Sequence, residues 1–118
     1  METEPDYTAI LDRIPSRWGK HVDVNPGWAD LVLELNERLA MLVPDYEVHQ
    51  VKEKFGGLRY YVEIDYDNCA YADFDRLIQE AESASLRICD KCGEPGSIVN
   101  TSPYWVATRC ADHGPQPE

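Results

Sequence analysis

Apolar residues recur at helical spacing in three parts of the chain and at every second position in one. Tyr7, Ile10, Leu11 and Ile14 mark a first short helix, which Pro15 ends. Trp28, Leu31, Val32, Leu35, Leu39 and Leu42 form one face of a longer helix within residues 26–43. Asn25 is its N-cap candidate, Pro26 takes the first helical position and Pro44 closes it. Glu34 and Arg38 stand four apart on the wetter side and support it weakly. Residues 16–27 read as a connection with one aromatic anchor, Trp18. Phe74, Leu77, Ile78, Ala81 and Ile88 predict a third helix over 72–88, with Asp73 or Asp75 near its positive end.

Residues 45–67 follow a period of two. Leu58, Tyr60, Val62 and Ile64 alternate with Arg59, Tyr61, Glu63 and Asp65, the pattern of a half-buried antiparallel strand. On the preceding strand Val48 and Val51 are out of phase, which predicts a bulge near Gln50. Gly56 and Gly57 are expected to supply the positive φ angles of the turn, with Phe55 and Leu58 packed together beside it. The fold class expected is therefore α+β, three helices packed on an antiparallel β-hairpin. Residues 1–88 make this core.

From Cys89 onward the texture changes to cysteine, glycine and proline. Residues 96–102 and 104–109 read as two short strands. Cys89, Cys92, Cys110 and His113 spell C-x2-C-x17-C-x2-H. Two close pairs of thiolate and imidazole ligands suit tetrahedral Zn2+, and a set with all four positions filled is structural. The segment 89–113 is thus expected to be a zinc-ribbon or knuckle-like unit packed on the core, ahead of a flexible tail at 114–118. Its few large apolar residues, Ile98, Val99, Trp105 and Val106, give the metal an ordering role. A redox pair at Cys89 and Cys92, or unliganded thiols, are the other readings. Cys69 is expected to be a small buried hydrophobe, and is the substitute ligand if His113 is not one.

The chain has 118 residues, which suits one domain, and 22 acidic against 11 basic residues give a net charge of -11. That balance opposes general binding to nucleic acid or to an anionic membrane. No apolar run is long enough to cross a membrane and the acidic N-terminus lacks the pattern of a signal peptide, so a cytoplasmic protein is expected. Against this background Lys52, Lys54, Arg59 and Tyr61 stand out as a local basic and aromatic patch, suited to a phosphate or carboxylate on a partner. The same cations could instead be neutralised by Glu47, Glu53 or Glu63 across the strands. Glu63, Asp65 and Asp67 could hold a hard cation or simply be a solvated strand end. His21 and His49 lie in no nucleophile motif, and no phosphate-binding glycine motif is present. The acid-x-Lys pattern of metal-dependent nucleases fails, because Lys52 stands where the acid would be.

Gly27-Trp28, the stretch QVKEKFGGLRYYV at 50–62, Ala81, Glu82 and Ser85 at a helix end, and the four ligands near the C-terminus are similar in order and spacing to a family. Its members are small uncharacterised proteins of bacteriophages, prophages and bacteria. The resemblance spans most of residues 15–113. It implies a phage-associated origin and a zinc-bearing C-terminus, and it transfers no catalytic residue.

Three functions follow as expectations. The first is a small non-enzymatic protein that binds a host protein. The second is a zinc module that binds nucleic acid through Lys52, Lys54, Arg59, Lys91 and Arg109. An acidic DNA mimic, with carboxylates arrayed from Glu63 to Glu82, is a special case of the first. The third, an enzyme, has no complete constellation behind it.

Overall fold

Trp28 and the helix that follows it, α2 (Ala29–Leu42), are the centre on which the other elements close. The computed structural model describes residues 5–114. The tail expected at 114–118 lies, apart from Gly114, outside them. In chain order the elements are α1 (Thr8–Leu11), β1 (Val22–Asp23), a single 3-10 turn at Pro26–Trp28, α2, β2 (Glu47–Lys54), β3 (Gly57–Glu63), α3 (Tyr71–Ser85), β4 (Ser97–Ser102) and β5 (Trp105–Arg109). The protein is mixed α+β, with three α-helices and two small sheets among the described residues.

The core draws on every apolar stripe. Val32, Leu35 and Leu39 come from α2, Phe74, Ile78 and Ala81 from α3, and Val48, Val51, Leu58 and Tyr60 from the first sheet. Ile10 and Ile14 close one end. Inside lies one polar chain. The Tyr46 hydroxyl donates to Asn36 Oδ1 and meets the Tyr60 hydroxyl at 2.7 Å. Burial pushes the Tyr46 phenol up to about 12 and the Tyr60 phenol higher still.

The first sheet has the order β1-β2-β3. β2 and β3 are antiparallel, and the register slips between Val48 and Gln50, where the out-of-phase valines require an extra residue. β1 arises within the segment expected to be only a connection, and it pairs in parallel, Val22 with Val51 and Asp23 with Lys52. Two residues make no detectable periodicity, so only the neighbouring strand reveals it.

The turn between β2 and β3 differs from expectation. Positive φ falls on Phe55 (54°) and Gly56 (84°), while Gly57 already belongs to β3. Both central residues of a two-residue turn need positive φ to match strand twist. Phe55 accepts that conformation with its ring 72% exposed, whereas Leu58 is fully buried, so the two do not pack together. Glu53 Oε2 takes the Gly56 N–H at 2.6 Å and closes the turn.

The helix end Ala81, Glu82 and Ser85 acquires a role that sequence spacing did not suggest. Ser85 Oγ accepts the Leu58 N–H at 2.9 Å, and Glu82 Oε2 accepts the Tyr60 N–H at 3.0 Å. Positions three apart on a helix are about 5–6 Å apart. Alternate N–H groups of a strand repeat at about 6.6 Å. One short and one long side chain span the difference. They satisfy the open edge of β3, and buried Ala81 lets the helix approach closely.

Asn25 has the extended backbone of an N-cap, but its side chain makes no cap bond. Its Nδ2 instead donates to Asp90 Oδ2 at 3.2 Å, across 65 residues. Cys69 is exposed, not buried, because it sits in the polar turn ahead of α3.

Candidate metal centre

Two backbone turns present the ligand pairs. After Cys89, the Gly93 N–H donates to the Cys89 carbonyl at 2.9 Å, with Gly93 at φ 82°. The Cys89 N–H donates to Glu94 O at 2.7 Å. After Cys110, the His113 and Gly114 N–H groups both return to the Cys110 carbonyl. β4 and β5 are antiparallel, Ser97 opposite Arg109, and this pairing brings the second turn beside the first.

A buried ion pair joins the turns. Asp90 lies inside the first ligand pair and Arg109 immediately precedes the second. Arg109 Nε is 2.7 Å from Asp90 Oδ1, with side chains 19% and 5% exposed. The Asp90 N–H also donates to Thr108 O at 2.9 Å. Losing one partner of such a pair costs about 3–5 kcal/mol, because the other is left charged and buried.

The same turn is seated on the start of α2. Gly27 N–H donates to Asp90 O at 2.8 Å, and Trp28 Nε1 donates to Ile88 O at 2.9 Å. A Cβ on Gly27 would collide with the Cys89 carbonyl oxygen and with the Asp90 backbone. Gly27 is therefore a contact surface for the ligand turn. On the opposite side Thr108 Oγ1 donates to Gly56 O at 2.7 Å, fixing β5 to the turn that ends β2.

The result is a cluster in which the donor atoms of Cys89, Cys92, Cys110 and His113 all lie within 4.8 Å of one another. Cys92 Sγ to Cys110 Sγ is 3.6 Å, Cys89 Sγ to His113 Nδ1 is 3.7 Å and Cys110 Sγ to His113 Nδ1 is 3.2 Å. Tetrahedral metal–sulfur bonds of about 2.3 Å have edges of roughly 3.8 Å, so the donors fit around one metal ion. Cys69 has no part in the cluster.

The acidities of the thiols agree with that use. Burial opposes ionisation of Cys89, but N–H groups of Cys110, Cys92 and Lys91 aimed at its sulfur outweigh it and lower the thiol to about 6. At Cys92 the Glu94 N–H favours the thiolate. Burial, the hydrogen bonds from Cys110 and Cys89, and the charge on Cys89 prevail and raise it to about 11. One thiolate forms readily, and a second beside it needs a cation.

The predicted patch residues sit on the outward face of the first sheet. Lys52 is directly opposite Arg59 in the register. Lys52 Nζ lies 5.7 Å from the Tyr61 ring centre, and Lys54 Nζ the same distance from the Phe55 ring. Among the described residues none of Lys52, Lys54 and Arg59 forms an ion pair. Internal neutralisation by Glu47, Glu53 or Glu63 therefore does not occur. Glu53 closes its turn, and the other two face His49. Of the wider basic set, Lys91 is exposed, but Arg109 is committed to Asp90 and largely shielded.

One cluster escaped the sequence reading. Glu47, His49 and Glu63 gather their side-chain donors within 4.8 Å, while Asp65 and Asp67 join no such group. Glu-x-His on one strand was a weak signal, and only the register puts Glu63 opposite Glu47. No described helix is long and apolar enough to cross a membrane. In comparisons with known proteins, no family model, no curated protein and no solved structure matches this chain.

Proposed function

We propose that this chain is a small, zinc-stabilised, non-enzymatic binding protein of the cytoplasm. Its metal holds a ribbon-like segment, β4 and β5 with their two ligand turns, against the core. Four side chains offer three thiols and one imidazole within 4.8 Å, and this observation carries the zinc assignment. Zn2+ has no geometric demand beyond the tetrahedron and accepts this ligand set in structural sites. Every coordination position is supplied by the chain, which leaves the metal no open site for substrate.

The binding surface is the outward face bearing Lys52, Lys54, Arg59 and Tyr61. Three cations without a counter-charge, on a chain of net charge -11, favour an anionic patch on a protein partner. The resemblance to phage and prophage proteins makes a host protein the class of partner proposed. The same uncompensated cations favour a second reading, binding to nucleic acid. The pairing of Arg109 with Asp90 and the overall charge weigh against it.

Two measurements test the proposal. Metal removal by a chelator is expected to raise amide exchange across 89–113 while α2 and α3 keep their protection. Unchanged exchange in fully demetallated protein would falsify the structural role. For the surface, host proteins retained by the zinc-loaded protein are compared with those retained by the Lys52→Glu, Arg59→Glu double variant. A partner lost on charge reversal is expected, and a partner retained undiminished removes this face as the contact. Retention on DNA that falls steeply with salt, abolished by the same reversal, replaces the protein-binding reading with the nucleic-acid one.

A further inference from the structure

The outward face of the first sheet ends, opposite its basic patch, in Glu47, His49 and Glu63. We propose that these three residues form a second metal site, one imidazole and two carboxylates, for a divalent first-row metal ion. It is separate from the cysteine cluster and its donor chemistry differs.

Register and bulge build the site. Glu47 and Glu63 are direct cross-strand partners on β2 and β3. His49 is the extra residue of the bulge between Val48 and Gln50, free of a strand partner. Its Nε2 lies 3.2 Å from Glu63 Oε2 and 3.8 Å from Glu47 Oε1. Bulges commonly redirect a side chain in this manner beside functional sites.

The imidazole is held with its inner nitrogen facing both carboxylates. Trp18 stacks on the His49 ring with centroids 4.8 Å apart and planes at 22°, so the ring is clamped by its face and its edge points at the carboxylates. His49 Nε2 and Glu47 Oε1 are both buried atoms, and each faces a charged group, Glu63 Oε2 at 3.2 Å and Arg17 Nη2 at 3.5 Å.

Electrostatics points the same way. Two carboxylates directly opposite on paired strands repel. Among the described residues Arg17 lies 3.5 Å from Glu47 Oε1, but it is largely exposed and such surface pairs are weak. A divalent ion relieves the repulsion and draws the imidazole nitrogen and both carboxylates to one centre. Imidazole with carboxylates suits first-row divalent ions, and three protein ligands leave room for water.

Cobalt separates the two centres. Metal-free protein is titrated with CoCl2, with bound metal counted by equilibrium dialysis and the near-ultraviolet charge-transfer band of cobalt–thiolate bonds followed in parallel. The expected result is two Co2+ per chain, only one of them producing that band. Glu63→Gln and His49→Asn should each lose the second ion and keep the band, which also certifies that the variants fold. A single ion per chain that produces the thiolate band overturns the proposal. A second ion that survives both substitutions overturns it too. If the band never forms yet one ion binds and is lost in both variants, the cysteine-cluster assignment fails and this site stands.

Discussion

Gly27→Ala tests how the cysteine-bearing segment is attached to the core. Gly27 needs no unusual φ, so alanine suits its backbone conformation. At such a position the substitution ordinarily stabilises a protein by about 0.4–1 kcal/mol, because the unfolded chain loses freedom. The contact geometry predicts the opposite sign. The new methyl group would fall on the Cys89 carbonyl oxygen and the Asp90 backbone, and backbone atoms cannot swing aside as a side chain can. Overpacking of this kind costs about 1–3 kcal/mol. Moving the turn away also weakens the Gly27 N–H to Asp90 O bond of 2.8 Å and the Trp28 Nε1 to Ile88 O bond of 2.9 Å. Each is worth about 0.5–1.5 kcal/mol. With both bonds lost and the entropic gain set against these costs, the net destabilisation is about 1–5.5 kcal/mol. Urea unfolding followed by tryptophan fluorescence measures it, since Trp28 is wholly buried at this junction. Amide exchange locates the effect, with Ile88 to Gly93 losing protection first. An unchanged or raised midpoint refutes the close approach of the ligand turn to Gly27.

Ser85→Ala leaves the buried Leu58 N–H without an acceptor and should cost about 1–3 kcal/mol in denaturant unfolding, with faster exchange at Leu58. No change in that amide removes the edge-closing role assigned to α3. Phe55→Asn should stabilise by about 1 kcal/mol, because asparagine tolerates positive φ and the exposed ring gives up little buried area. A lower unfolding midpoint contradicts this and implies that the ring packs. Tyr46 and Tyr60 have phenol acidities raised by burial, so the folded state holds protons that the unfolded state has lost. Stability should therefore fall as pH rises from about 10, the unfolded tyrosine value, through about 12. Tyr46→Phe should flatten that fall in an alkaline denaturation series, and an equally steep fall in the variant refutes the assignment.

Local periodicity determined much of what the chain alone could disclose. The stripes Val32–Leu35–Leu39 and Phe74–Ile78–Ala81 are legible because helical spacing must repeat wherever a helix buries one face. The alternation from Leu58 to Val62 is legible for the same reason with a period of two. The phase error between Val48 and Val51 pointed to the register slip. The convergence of Cys89, Cys92, Cys110 and His113 was legible because two residues between donors are what a chain needs to turn round an ion.

Tertiary structure alone decided what depends on distant segments meeting. Gly27 is required by a carbonyl more than 60 residues away. Glu82 and Ser85 serve N–H groups of another strand, and Asn25 forgoes its cap for Asp90. Arg109, counted as a surface cation, is consumed by Asp90. Cys69, expected inside, is exposed by a turn whose path only the packing of α3 defines. Glu47, Glu63 and His49 converge only once register and bulge are known. Each of these contacts is a single pair worth on the order of 1 kcal/mol in stability, save the buried ion pair. A single pair repeats nowhere, so it leaves no period in the sequence and becomes visible only when the chain has closed on itself.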